Sequence, residues 1–361
     1  MGRIIIFAIV LVILISLIIG VVSLIKYYHG SGKFSDFSRM TGDNIAFNGN
    51  GFINYNDKTL KYYDLLSKSK DFSESLGFED DNIKLAGGSE ITVLYNDISF
   101  FVVGTKQAVN IENGKITDCK CGRNFAALLI VDNESANARI EIYNSAGSLC
   151  SKKEFDTTII TGFGFESEFD TTFYYSEMST AGKDLAITIT TFDLERNSVN
   201  GVLCVYGMVV DDVIFTEKSI FVIGTKYLIR FDRVTNKEVY KILIYGYEFH
   251  SVSINAKNKQ VFALAEADVE KPSYVKLLTL SESEDANSTV CVINLPDDYV
   301  YFASMKGSLA VVTENSIIKY NANGKAAGTT GCDEPISKAM KLDSNRLLVK
   351  NGEKYSVFKL K

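Results

Sequence analysis

The most constraining feature of this chain is a pattern that recurs. Groups of short β-prone runs begin near Asn44, Asp81, Gly114, Thr158, Asp211, His250, Tyr299 and Ile336. The stretch from Asp211 to Ile244 shows the unit plainly. Val213 to Phe215, Ser219 to Ile223, Tyr227 to Phe231 and Glu238 to Ile242 are apolar runs rich in Val, Ile, Phe and Tyr, parted by turn residues. That is the pattern of a four-stranded antiparallel meander. One such sheet cannot cover both of its faces, so the copies must stack on one another. A spacing of roughly 35 to 50 residues is that of propeller blades. The expected fold is all-β: a β-propeller of eight four-stranded blades, or seven.

The last group, Ile336 to Lys361, has material for only three strands: Ser337 to Leu342, Arg346 to Val349 and Tyr355 to Leu360. Closed propellers often complete such a blade from the other end of the chain, which removes an exposed edge. Lys33 to Arg39 is the candidate, so residues 31–40 read as a closing strand or a stalk. Asn113-Gly114, Asn144 to Gly147 and Asn321 to Gly324 read as hairpin turns, because these residues accept positive φ at low cost. Gly104-Thr105-Lys106 echoes Gly224-Thr225-Lys226, with the two copies free to sit on different strands. Glu166 to Lys183 and Glu282 to Thr289 read as long connections, where binding specificity tends to sit. After residue 30 the best helical pattern is a weak one, Asp64 to Ser75.

Ahead of the repeats, Ile4 to Ile25 is apolar except for Ser16, Gly20 and Ser23. As a helix it would reach roughly 33 Å, the hydrocarbon thickness of a bilayer. A cleaved signal peptide would have a shorter apolar region and a small-residue cleavage site. The expected organisation is a transmembrane anchor with short flanks over residues 1–30 and a propeller over 31–361. Arg3 stands on one side of the anchor and Lys26, Lys33 and Arg39 on the other, so the positive-charge rule gives little orientation. A single-pass protein of the cell membrane with its body outside the cytoplasm is the expectation, since an anchor with so short a leading segment usually sends the downstream chain across the membrane.

The formal net charge is -6, with 46% hydrophobic and 12% aromatic residues. Disorder is excluded, and nothing in the sequence offers the basic surface that nucleic acid requires. There are two histidines, His29 and His250, and no Trp. A Ser-His-Asp arrangement would have to be built on His250 without a nucleophile motif beside it, so it reads as structural. Among Cys119, Cys121, Cys150, Cys204, Cys291 and Cys332, the first two are spaced to share one face of a strand. Further zinc ligands are not visible, and buried thiols explain most of the six, though an even count also permits disulfides. Glu79-Asp80-Asp81, Glu282 to Asp285 and Asp297-Asp298 match no calcium loop. Gly87-Gly88 and Gly162-Phe163-Gly164 lack the glycine spacing and following Lys of a phosphate loop. Tyr62-Tyr63, Phe100-Phe101, Tyr174-Tyr175 and Tyr245 to Phe249 could line a sugar or peptide surface. Stacked sheets need such aromatics between them in any case, and adjacent residues of a strand face opposite ways. The sequence therefore offers no catalytic, cofactor-binding or metal-binding residue.

With these runs in place, Phe125 to Asp232 resembles an uncharacterised bacterial family of membrane-anchored propellers, domain of unknown function 5711. The segments concerned are Ala126 to Val131, Ala138 to Gly147 (ARIEIYNSAG), Leu185 to Phe192 (LAITITTF) and Ser219 to Phe231. A Trp that relatives often carry near Phe173 to Met178 is missing. The resemblance implies a propeller body behind an N-terminal helix and brings no catalytic residues with it. The functional expectation is a non-catalytic binding or scaffold module that presents a rigid surface to a protein or cell-envelope partner. The alternative is a propeller enzyme, a hydrolase or quinone-dependent dehydrogenase with its site in the central funnel. A third possibility is a sensor on the inner face of the membrane.

Overall fold

The computed structural model describes residues 30–361 except 43, 77, 79–81, 136, 157, 180–184 and 282–287. The expected anchor, His29, Glu79-Asp80-Asp81 and Glu282 to Asp285 lie outside the described residues. Among those described, no helix is long and apolar enough to cross a membrane.

The described residues form eight four-stranded antiparallel sheets. The first described strand, β1 (Gly32–Asp36), belongs to blade 8. Blade 1 comprises β2 (Ile45–Phe47), β3 (Gly51–Asn56), β4 (Thr59–Asp64) and β5 (Phe72–Ser75). Blade 2 comprises β6 (Lys84–Gly87), β7 (Thr92–Tyr95), β8 (Ser99–Val102) and β9 (Val109–Asn110). Blade 3 comprises β10 (Lys115–Cys121), β11 (Phe125–Val131), β12 (Ala138–Asn144) and β13 (Leu149–Phe155). Blade 4 comprises β14 (Ile159–Phe165), β15 (Thr172–Ser179), β16 (Ala186–Asp193) and β17 (Ser198–Tyr206). Blade 5 comprises β18 (Val210–Phe215), β19 (Ser219–Gly224), β20 (Tyr227–Asp232) and β21 (Glu238–Leu243). Blade 6 comprises β22 (Tyr247–Ile254), β23 (Gln260–Glu266), β24 (Tyr274–Leu280) and β25 (Thr289–Asn294). Blade 7 comprises β26 (Tyr299–Met305), β27 (Ser308–Thr313), β28 (Ser316–Tyr320) and β29 (Ala326–Gly331). Blade 8 ends with β30 (Ile336–Lys341), β31 (Arg346–Asn351) and β32 (Lys354–Leu360).

The chain divides into two compact units: Met40–Phe249, and the residues up to Arg39 together with His250–Lys361. In the first, the leading strands of successive blades abut, β2 on β6, β6 on β10, β10 on β14 and β14 on β18. Several second strands are nearly continuous in hydrophobic residues, as in Phe125–Val131 and Ser219–Gly224, because both of their faces are covered. Even and odd residues then enter different cores. Phe100 packs with Val93 and Tyr143, whereas Phe101 packs with Phe78 and Leu94. Tyr174 and Tyr175 likewise join separate clusters.

In the second unit, β1 pairs antiparallel with β32, Gly32 opposite Leu360 through Asp36 opposite Ser356. Phe34 lies 4.8 Å from Phe358, centroid to centroid. Ser31 is buried, its hydroxyl donating to the Ile317 carbonyl at 2.7 Å. Residues 31–36 therefore close the final blade, and the strand stops at Asp36, short of Arg39.

Three local expectations need correction. Asn113-Gly114 has positive φ at both residues but joins blade 2 to blade 3, so it is an inter-blade connector, unlike the hairpin turns at 144–147 and 321–324. The expected connection from Glu166 to Lys183 contains strand β15 (Thr172–Ser179), whose polar residues Thr172, Ser176, Glu177 and Ser179 mask its alternation. Asp64 to Ser75 holds only the single helical turn Lys68–Lys70, followed by β5. The glycine-threonine-lysine echo falls at the end of a second strand in one copy and just after a third strand in the other.

Candidate functional site

The strand β12 reads ARIEIYN, and its alternation sends two kinds of chemistry to its two faces. Ile140 and Ile142 enter an apolar cluster with Phe155, Phe163 and Phe173. Arg139, Glu141 and Tyr143 face the other way, into a cavity of about 510 Å³. Its remaining walls come from the connector at Asn110–Asn113, from Asp132 and Asn137, and from Leu149, Lys152, Glu154 and Asp156.

The three side chains form one relay. The Tyr143 hydroxyl donates to Glu141 Oε2 at 2.6 Å, and Arg139 Nε donates to Glu141 Oε1 at 2.8 Å. Arg139 Nη1 and Nη2 donate to the carbonyls of Asn113 and Glu112 at 2.9 and 2.7 Å. The guanidinium thus ties the connector to blade 3, and the carboxylate beneath it holds the fork in place. Tyr143 is buried against Phe100, with centroids 4.5 Å apart. Burial and the neighbouring Glu141 push its phenol well above the ordinary tyrosine range, so it stays a donor at all physiological pH.

Closer to solvent, Lys152 pairs with Glu154 at 2.7 Å, and this bond holds the Glu154 carboxyl below its ordinary value. The Asp132 carboxylate accepts the Glu134 N–H at 2.8 Å. Five acids (Glu112, Asp132, Glu141, Glu154, Asp156) and two bases (Arg139, Lys152) line the space. It is a polar, net-negative recess on a rigid frame, suited to recognition by charge and hydrogen bonding.

The residues singled out in the sequence fall elsewhere. His250 contacts the Phe302 carbonyl through Nε2 at 2.6 Å, its ring 4.1 Å from that of Phe302. A carbonyl only accepts, so Nε2 carries the proton and the ring links blade 6 to blade 7. Ser251, Ser253 and Ser304 continue that seam, Ser304 N donating to Ser251 Oγ at 2.8 Å. All six cysteines are free thiols. Cys119 and Cys121 share one face of β10 beside a recess of about 370 Å³, which Gly87, Phe163, Phe165 and Tyr174 also line. A hydrogen bond with Cys121, followed by burial, raises the Cys119 thiol well above its ordinary value, which makes it unreactive. Among the described residues no group of three or more His, Cys, Asp or Glu could hold a metal ion.

Gly88, of the first glycine pair, is a packing device, as is Gly122. A Cβ on Gly88 would lie 1.6 Å from the Gly122 carbonyl oxygen, and one on Gly122 would lie 2.4 Å from Phe165. Glycine lets the main chains of blades 2, 3 and 4 touch there: Glu90 N donates to Arg123 O and Arg123 N to Asp170 O, each at 2.8 Å. Of the aromatic candidates, only Tyr245 is strongly exposed, at 75%. Asp297 and Asp298 sit in the turn ahead of β26.

Sequence reasoning missed the Arg139–Glu141–Tyr143 relay. The alternation within ARIEIYN was the available signal, but the partner carbonyls of Glu112 and Asn113 belong to the preceding blade's connector. It also missed Lys341, on β30, whose ammonium donates to the Val252 carbonyl. Burial, opposed by Asp343, pushes Lys341 down to about 8.

No family model matches the chain, and no curated protein matches it. Solved structures do. BamB from Moraxella catarrhalis superposes with a TM-score of 0.57 at 10% identity, over 91% of this chain and 98% of that one. The C-terminal WD40 domain of Sif2 gives 0.55 at 10% identity, over 91% and 99%. The computationally designed Ika8 protein gives 0.53 at 12% identity, over 92% and 98%. At such identities the likeness shows the fold alone, and with the eight sheets described above that fold is an eight-bladed β-propeller.

Proposed function

We propose that this propeller is a non-catalytic binding or scaffold module, tethered to the cell membrane through Ile4 to Ile25 and engaging a protein or envelope partner outside the cytoplasm. The observation that carries the binding reading is the 510 Å³ recess beside Arg139, Glu141 and Tyr143. Its relay is internally satisfied, which suits a fixed template more than a site that must exchange protons. With acids outnumbering bases, the recess favours a partner segment that carries Lys or Arg.

The full chain in detergent, applied to an array of cationic, neutral and anionic peptides, tests this. Cationic peptides should be retained, and Glu112→Gln with Asp156→Asn should abolish retention while the thermal melt is unchanged. Equal retention of the three peptide classes, or retention that survives both substitutions, would refute the assignment of this recess.

A further inference from the structure

We propose that the end of blades 7 and 8 at which the chain enters the body is a membrane-facing surface that takes anionic lipid headgroups. The inference rests on the tether reading above and adds to it which side of the propeller meets the bilayer.

The argument starts from reach. Ser31 is buried and fixed at this end, with Lys361 N donating to its carbonyl at 3.0 Å and its own hydroxyl 2.9 Å from Thr330 Oγ1. Only residues 26–30 separate it from the apolar run ending at Ile25. Even fully extended, so few residues span only roughly 20 Å. A propeller tethered this tightly holds the same end towards the membrane surface.

The charge at that end is positive, although the chain carries a net charge of -6. Lys33 on β1 stands directly opposite Lys359 on β32, and Lys359 stands directly opposite Arg346 on β31. Three cations therefore form a row across three strands. Asp343 neutralises one of them, bonding Arg346 at 2.6 Å, while Lys33 and Lys359 are both exposed. Like charges directly opposite on neighbouring strands cost stability, so this row is a departure from what folding alone would favour, of the kind expected at functional surfaces.

Further cations gather at the same end. The turn at Lys306 contacts the turn at Ser344, Lys306 N donating to the Ser344 carbonyl at 2.9 Å. Lys306 Nζ lies 3.3 Å from the Leu360 carbonyl, and Lys319 Nζ lies 2.7 Å from the main-chain oxygen of Lys361. Burial, then the neighbouring Lys306, holds Lys319 below lysine's ordinary value. A phosphate-bearing surface relieves this mutual repulsion. Each lysine near an anionic bilayer contributes about fivefold in association.

The test uses the full chain reconstituted into vesicles, with a fluorescent amino acid replacing Ser344 and, in a second protein, Glu353 in the turn at the opposite end of blade 8. A nitroxide on the lipid headgroup reports proximity. Quenching at position 344 should rise severalfold when phosphatidylglycerol is added to phosphatidylcholine, and fall back in high salt or in Lys33→Gln/Lys306→Gln/Lys359→Gln. Position 353 should stay unquenched. The triple variant should melt no lower than the parent, since it removes repulsion. Quenching at 344 that ignores phosphatidylglycerol and salt, or quenching that is stronger at 353, overturns the proposal. Flotation with the vesicles after carbonate washing reports the tether separately: loss of flotation with lipid-dependent quenching intact would sink the tether and leave the surface standing.

Discussion

At the scale of single residues, the body depends on a few polar groups held where water does not reach. Tyr143→Phe leaves Glu141 Oε2 without its 2.6 Å donor and should cost about 1–3 kcal/mol, measured by urea unfolding; an unchanged midpoint would show that the relay is slack. Gly88→Ala forces a methyl group onto the Gly122 carbonyl and should cost about 1–3 kcal/mol or more, as overpacking does. Lys341 gives a pH-dependent case. Its folded-state value is near 8 against an ordinary 10.5. Between those values the unfolded chain binds a proton that the folded chain lacks, so this residue adds stability as pH rises through that window and adds none below it. The stability difference between Lys341→Met and the parent should therefore move in the parent's favour by roughly 3 kcal/mol from pH 7.5 to 10.5. A difference that stays flat across that range would show that the lysine is solvated.

At the scale of elements, the blade starts were legible. The observed first strands begin at Ile45, Lys84, Lys115, Ile159, Val210, Tyr247, Tyr299 and Ile336, within three residues of the groups read from the sequence. Strand runs and turn residues are local signals, which is why they survive without knowledge of the fold. What was not legible is contact between blades. His250 meets Phe302 and Arg139 meets Glu112 because the repeat brings residues 52 and 27 positions apart into register, and no local pattern announces such a pairing. The closing strand was legible for a different reason: the last group was one strand short. Deleting residues 31–40 strips β1 from β32 and uncovers Phe358, which is fully buried. The thermal midpoint should fall by several degrees, and a melt unaffected by the deletion would mean that the three remaining strands suffice.

At the scale of the whole molecule, the proposed placement of the propeller outside the cytoplasm can be tested through thiols already present. Cys150 on β13 and Cys204 on β17 are exposed. A membrane-impermeant maleimide added to intact cells should label both if the propeller lies outside; labelling that appears only after lysis would place it inside. The sheet that unites β1 with β32 also sets a timetable. The two strands are far apart in the chain, β1 ending at Asp36 and β32 beginning at Lys354, so at about 5–20 residues per second the earlier one waits tens of seconds for its mate. Blades 1 to 5 can form in that interval, and blade 8 cannot. During translation β1 is an unpaired strand with nothing to dock on, and the seven-residue β32 turns a string of sheets into a finished body only once it has emerged.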